Sequence, residues 1–403
     1  MTGVLEESYT SRRRRAASSG KQSRRERLRR DRRRRWGVVV VASLSGAFAA
    51  LSSAPTSAPA QSSPTSSTTI APSADGRFTT FLLGHRSTDG TLDLAVLFGV
   101  DTTEPRRVSA LLLPPPTMVQ VAALQQQTLG ELPALVDDEL LISVVENATG
   151  IRIDSSIIAD DVLLARLLEP ADPIPVEFAR GIRIDDDAGT LGFAGGPQRL
   201  SSPDAFRVLL GDEPDGTLSH MVTVGAVLEG WLQRLGSPSV ARPTVAVDAR
   251  AKVLRTMGGI EPRWWTLPVE RVDAGDEERF RMLREDVSNL VAGQFGPAAL
   301  RGGSRPKVEL RNGTGTVGLT QIVSTFVIPI GIEVVHTENV AGFGVATTTV
   351  VYYRSDDKEA AEDVVEAMGV GEAVQVKEQI DFVDLTVIVG ADFEAAHPEV
   401  FGR

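Results

Sequence analysis

The sequence predicts a membrane-anchored α/β protein, with a large α/β domain followed by a small one. Three observations carry this. Leu92–Val100 and Val108–Leu113 are near-continuous apolar runs of strand length, as in strands buried on both faces of a sheet with helices on each side. Segments with helical spacing alternate with such runs. Finally, Gly37–Leu51 is apolar except for two serines and sits directly behind Arg32–Arg35 and Trp36.

Extended over residues 36–54, that last stretch is near the lower end of what spans a hydrocarbon layer of ~30 Å. Arginines before it place the N-terminus in the cytoplasm and the rest outside the cell. Ala58-Pro59-Ala60 offers the competing reading of a cleaved signal peptide. Residues 1–35 read as a disordered basic cytoplasmic tail and residues 55–76 as a Ser/Pro-rich linker.

Residues 1–36 carry 14 Lys/Arg and 4 Asp/Glu, so of the chain's 42 basic and 53 acidic residues the remainder holds 28 and 49. An exported part this acidic is a poor partner for nucleic acid. No cysteine is present, which excludes disulfides and thiolate chemistry. His85, His220, His336 and His397 lie far apart and give no metal-ligand spacing.

From Arg77 the texture becomes globular. Phe78–Leu83 is a β-type run, and Leu132–Thr149 and Asp160–Leu168 have helical spacing, with Gly150 as a stop and Asp160 as a cap. Gly189–Pro197 is turn-rich. Asp204–Leu210 and His220–Leu235 read as helices, Thr244–Val247 and Trp264–Val269 as strands, and Asp276–Ala292 as a helix with its charges outward. Residues 77–295 form the large domain and 296–305 a linker. In residues 306–395, Lys307–Asn312, Ile332–His336, Thr347–Tyr353 and Leu385–Val389 read as strands. Val317–Ile328 and Lys358–Met368 read as helices, the second ended by Gly369. Residues 396–403 are a tail.

The segments VELRNGTG, TTTVVYYRS, DKEAAEDVVEAMG and DLTVIVGADF, in this order, are similar to the LytR C-terminal domain. FLLG (Phe81–Gly84), LDLAVLFGVD (Leu92–Asp101), VSALLLP (Val108–Pro114), TGIRID (Thr149–Asp154), GGPQRLSSPDAF (Gly195–Phe206) and WTLPVE (Trp265–Glu270) together resemble the LytR-CpsA-Psr (LCP) family of cell-envelope proteins. That resemblance implies transfer of a glycopolymer from a polyprenyl-(pyro)phosphate carrier onto peptidoglycan. Such a transfer relies on preorganised arginines and a divalent metal to hold phosphoryl charge.

The family's RSDT motif reads Thr91-Leu92-Asp93-Leu94 here, keeping only the aspartate. Its PRD motif reads Pro114-Pro115-Pro116. Leu210 and Asp212 stand where an R-x-R pair belongs, Arg207 lies three residues early, and Ser219–Val224 holds His220 but no arginine. A vestigial phosphate or metal site is left, composed of Asp93, Asp101, Arg86 and Arg207, with no catalytic set. If the resemblance holds, Asp93 and Asp101 could bind Mg²⁺, though no cofactor is required. The reading therefore leans away from an enzyme, toward a binding or scaffolding factor in cell-wall glycopolymer assembly. Its partners would be membrane lipid, polyprenyl-linked glycan or peptidoglycan, and envelope proteins. The alternatives are a working phosphotransferase with rearranged cations and a regulator acting through the basic tail.

Other features have weaker readings. Met221, Trp231 and their Leu/Val stripe could line a lipid-tail cavity or simply be core. Asn312-Gly313-Thr314-Gly315 could hold an anion at the opening of a helix. Asn147-Ala148-Thr149 and Asn312-Gly313-Thr314 match glycosylation acceptors.

Overall fold

The computed structural model describes residues 77–103, 106–237, 253–254, 256–274, 277–302, 304–377 and 382–401. The tail, the membrane span, the Ser/Pro-rich linker and the strand expected over Thr244–Val247 lie outside these residues. Among the described residues no helix is long and apolar enough to cross a membrane.

Strands β1 (Phe78–Arg86), β2 (Leu92–Asp101) and β3 (Arg107–Leu112) form an antiparallel core, followed by the hairpin β4 (Met118–Val121) and β5 (Gln125–Thr128). The pleat of β1 explains its unbroken apolar run. Phe81 and Leu83 enter one core cluster with Val96, Phe98 and Trp231, while Leu82 enters a second with Leu97 and Phe295.

Helical structure after this hairpin is broken where the sequence suggested one long helix. A 3₁₀ turn over Leu129–Ala134 contains Pro133, and α1 (Asp138–Thr149) begins only after Asp137, whose side chain accepts from Leu140 N. Gly150 ends α1 at φ 73°. Next come β6 (Ser155–Ala159) and α2 (Asp161–Leu168), with Asp160 as the expected cap, accepting from Leu163 N at 2.8 Å.

The turn-rich stretch proves to be strand. β7 (Ile174–Phe178) pairs with β10 (Gly196–Leu200), and β8 (Ile182–Asp186) with β9 (Gly189–Phe193). Helices α3 (Ser202–Leu210) and α4 (Thr217–Leu235) follow. β11 (Arg263–Thr266) completes a five-stranded sheet in the order β11-β3-β2-β1-β6. β12 (Val269–Ala274) and β13 (Glu277–Met282) then form a hairpin where a helix was expected, and α5 (Arg284–Gln294) starts only after it. Glu270 faces Arg281 across this hairpin and pairs with it at 2.6 Å, so cross-strand partners override the helix propensity of Glu and Arg.

The second sheet is built from β14 (Lys307–Asn312), β15 (Glu333–Asn339), β16 (Thr349–Tyr352), β17 (Glu372–Gln375) and β18 (Leu385–Val389), in the order β15-β14-β18-β16-β17. Helices α6 (Leu319–Val327) and α7 (Lys358–Met368) join its core through Val323, Val327, Val364 and Met368. Gly369 stops α7 as the sequence indicated.

Candidate functional site

The C-terminal end of β1 and the start of β2 bring His85 and Asp93 together. Asp93 Oδ1 accepts from Thr91 Oγ1 at 2.9 Å, and its Oδ2 lies 3.7 Å from His85 Nδ1. His85 is 1% exposed; its Nε2 is 2.9 Å from Asp161 Oδ1 and its Nδ1 has no hydrogen-bond partner. Burial pushes the Asp93 carboxyl up. The Thr91 hydrogen bond and His85 pull it down, while the charges of Asp89 and Asp212 raise it further.

Asp212 links this pair to the α3–α4 junction, because its charge also acts on His220. Burial pushes His220 down, toward the neutral form. Its Nε2 is 3.3 Å from Leu209 O, and its Nδ1 is unpartnered at 3.9 Å from Glu213 Oε2. Glu213 is buried and accepts from Thr223 Oγ1 at 2.9 Å. Arg180 pairs with Glu213 and with Asp215, the latter at 2.6 Å, and also donates to Ser219. The stretch where the resemblance would place arginines thus presents Asp212, Glu213 and a neutral-leaning imidazole.

The four residues singled out from the sequence do not converge. Asp101 is at the opposite end of β2 from Asp93, eight residues or about 26 Å away at ~3.3 Å per residue. There it accepts from Thr103 Oγ1 at 2.6 Å and from Thr103 N at 2.9 Å, which lowers its pKa. One Mg²⁺ shared by Asp93 and Asp101 is therefore excluded by distance. Arg86 follows His85 on β1 but pairs with Asp138 at the start of α1. Arg207 is turned to Asp186 at the end of β8.

Reading the sequence missed Arg180 and Glu213. Arg180 stands in a turn with no motif around it, and a glutamate beside Asp212 carries no signal until the fold buries it. The stripe with Met221 and Trp231 is packed core: Trp231 is 1% exposed and donates from Nε1 to Leu167 O at 2.9 Å.

In the second unit, the turn after β14 is closed by Asn312. Its Oδ1 accepts from Thr314 N at 3.1 Å and Gly315 N at 2.9 Å, and its Nδ2 donates to Thr316 O at 2.8 Å. Gly313 N donates to Val389 O, and α6 begins only at Leu319. These N–H groups are engaged within the turn, so the expected anion cradle is absent there. Residues 305–393 match the family described as "LytR cell envelope-related transcriptional attenuator". This unit is a LytR C-terminal domain.

Among solved structures the chain is similar to TagV of B. subtilis, at 14% identity and TM-score 0.48, over 55% of this chain and 97% of that one. It is also similar to TagU of B. subtilis, at 11% identity and TM-score 0.43, over 57% and 100%. A third is the LytR-CPS2A-psr family protein YwtF (TagT) with bound octaprenyl pyrophosphate lipid, at 12% identity and TM-score 0.45, over 57% and 92%. No curated protein matches the chain.

The LytR C-terminal domain is hydrogen-bonded to α1 of the first unit. Asn147 donates from Nδ2 to Val334 O and accepts at Oδ1 from Val334 N, both at 2.9 Å. Arg305 adds bonds to Asn147 O at 2.7 Å and Ile332 O at 3.1 Å. Asn147 and Asn312 are both buried, so neither glycosylation pattern is presented at the surface.

Proposed function

We propose that this protein is a cell-envelope factor whose LCP-like domain, residues 77–295, binds or scaffolds during wall glycopolymer assembly without catalysing transfer. Its LytR C-terminal domain, residues 306–395, would serve as an extracytoplasmic interaction module. Residues 36–54 would hold both outside the membrane as a single-pass anchor.

One observation carries the reading. Arg86, Arg180 and Arg207 are each paired with a carboxylate, and the charges acting on Asp93 are His85, Asp89 and Asp212, with no arginine among them. A phosphoryl transition state needs uncompensated cations, each charge-assisted contact contributing about 1.5–3 kcal/mol. Here a pyrophosphate would approach the carboxylates of Asp93, Asp89 and Asp212 instead. The ligand class, a polyprenyl-linked glycan or peptidoglycan, rests on the motif order in the sequence.

The test is a transfer assay. The full chain in detergent is incubated with a polyprenyl-pyrophosphate-linked glycan, peptidoglycan and Mg²⁺, and linked product is counted. Turnover no greater than the protein-free control is expected; product formation abolished by Asp93→Asn would overturn the proposal.

A further inference from the structure

The parallel pairing of β14 with β15 sets Glu309 beside His336 and Arg311 beside Glu338. Because Val308 and Leu310 enter the core, the alternate residues Glu309 and Arg311 lie on the other face of the sheet. Arg311 fixes both carboxylates. Its Nε donates to Glu309 Oε2 at 2.9 Å, its Nη2 lies 2.7 Å from the same oxygen, and its Nε lies 3.1 Å from Glu338 Oε1. Thr386 Oγ1 also approaches Glu309 Oε2, at 3.4 Å.

The remaining oxygen of each carboxylate faces the same imidazole nitrogen. Glu309 Oε1 is 3.8 Å and Glu338 Oε2 is 3.9 Å from His336 Nε2, beyond hydrogen-bond reach. Glu309 is 2% exposed, so this carboxylate sits on a buried part of the sheet face beside the half-exposed His336 and Glu338.

We propose that Glu309 Oε1, His336 Nε2 and Glu338 Oε2 bind one divalent transition-metal ion, for which Zn²⁺ is the probe. The three atoms lie within 4.8 Å of one another. An ion equidistant from them sits about 2.5 Å from each, and small side-chain rotations bring that to the ~2.0–2.2 Å of zinc bonds to carboxylate and imidazole. One imidazole and two carboxylates suit a borderline cation better than Mg²⁺ or Ca²⁺, which take oxygen donors. Two carboxylates against one guanidinium leave net negative charge for the ion to neutralise. Arg311 is the positioning residue, holding each carboxylate by the oxygen that the metal does not use. The His336 and Glu338 side chains are 39% and 43% exposed, so the open coordination position faces solvent.

The experiment uses the full chain, stripped with a chelator and titrated with Zn²⁺ by calorimetry, with bound zinc counted after desalting. One equivalent per chain is expected, together with a rise in Tm that chelation reverses. His336→Ala and Glu338→Gln should each weaken binding at least tenfold while the far-ultraviolet dichroism is unchanged. Glu338 is on the surface, so its variant keeps the test open if His336→Ala misfolds. Absence of stoichiometric zinc in the parent, or equal affinity in the Glu338 variant, would overturn the proposal.

Discussion

Arg207 donates from Nε to Asp186 Oδ2 at 2.6 Å and from Nη2 to Asp186 Oδ1 at 3.0 Å, and reaches Gly189 O at 3.1 Å. This fork ties α3 to the β8–β9 hairpin and holds the Asp186 carboxyl below its ordinary range. Arg207→Ala should loosen the hairpin and lower Tm by ~2 °C, a small effect because the pair is near the surface. Differential scanning fluorimetry reads the shift. The same variant should leave phosphate or pyrophosphate affinity unchanged; a measurable loss would return Arg207 to the site.

Asn147 pairs with both the backbone N–H and the C=O of Val334, as a neighbouring strand would. Asn147→Ala leaves that buried N–H and C=O without partners, a loss of about 2–4 kcal/mol. Chemical denaturation monitored by tryptophan fluorescence checks this. A change below about 0.5 kcal/mol would mean water replaces the amide at no cost.

Elements were legible where local chemistry and tertiary pairing agree. Lys358–Met368 has helical spacing, good helix formers and a Gly369 stop, and it folds as read. Leu385–Val389 is a buried strand with the bounds its apolar run suggests. Glu277–Met282 has helix-forming residues but pairs with Val269–Ala274, a choice made by residues outside the window. The site divides similarly. The absence of arginines from the motif positions was visible in the sequence, as was the aspartate at position 93. The engagement of Arg86, Arg180 and Arg207 depends on Asp138, Glu213 and Asp186, which lie 52, 33 and 21 residues away from them. Separations of that size follow from topology rather than spacing. The convergence of Glu309, His336 and Glu338 is equally invisible until β14 and β15 pair.

Glu146, beside Asn147 on α1, accepts from Ile153 N at 2.7 Å, and burial raises its pKa from 4.5 to about 7. The folded state therefore binds this proton more tightly than the unfolded chain. Its stabilisation is full below pH 4.5 and is lost as pH rises to about 7, by up to about 3 kcal/mol. Glu146→Gln keeps an acceptor for Ile153 and removes the charge, so it should flatten the profile and be the more stable form at pH 8. Unfolding curves across pH 4–8 for both proteins decide the point; parallel profiles would refute it.

Gly230 sits where α4 presses on β7. An added Cβ would lie 1.7 Å from Pro175 O and 2.9 Å from Pro175 C, both backbone atoms. Gly230→Ala must separate the two elements, at a cost of about 3 kcal/mol, the upper end of the range for overpacked cores. Gly293→Ala, with open space around it, is the control and should be neutral or slightly stabilising. Equal denaturation midpoints for the two variants would contradict the packing.

The most direct measurement is calorimetric titration of the full chain with inorganic pyrophosphate, with and without Mg²⁺. With Arg86, Arg180 and Arg207 each engaged by a carboxylate, no saturable heat is expected into the millimolar range. Micromolar binding abolished by Arg180→Ala or Asp93→Asn would show that cations do converge there, and the non-catalytic reading would fail.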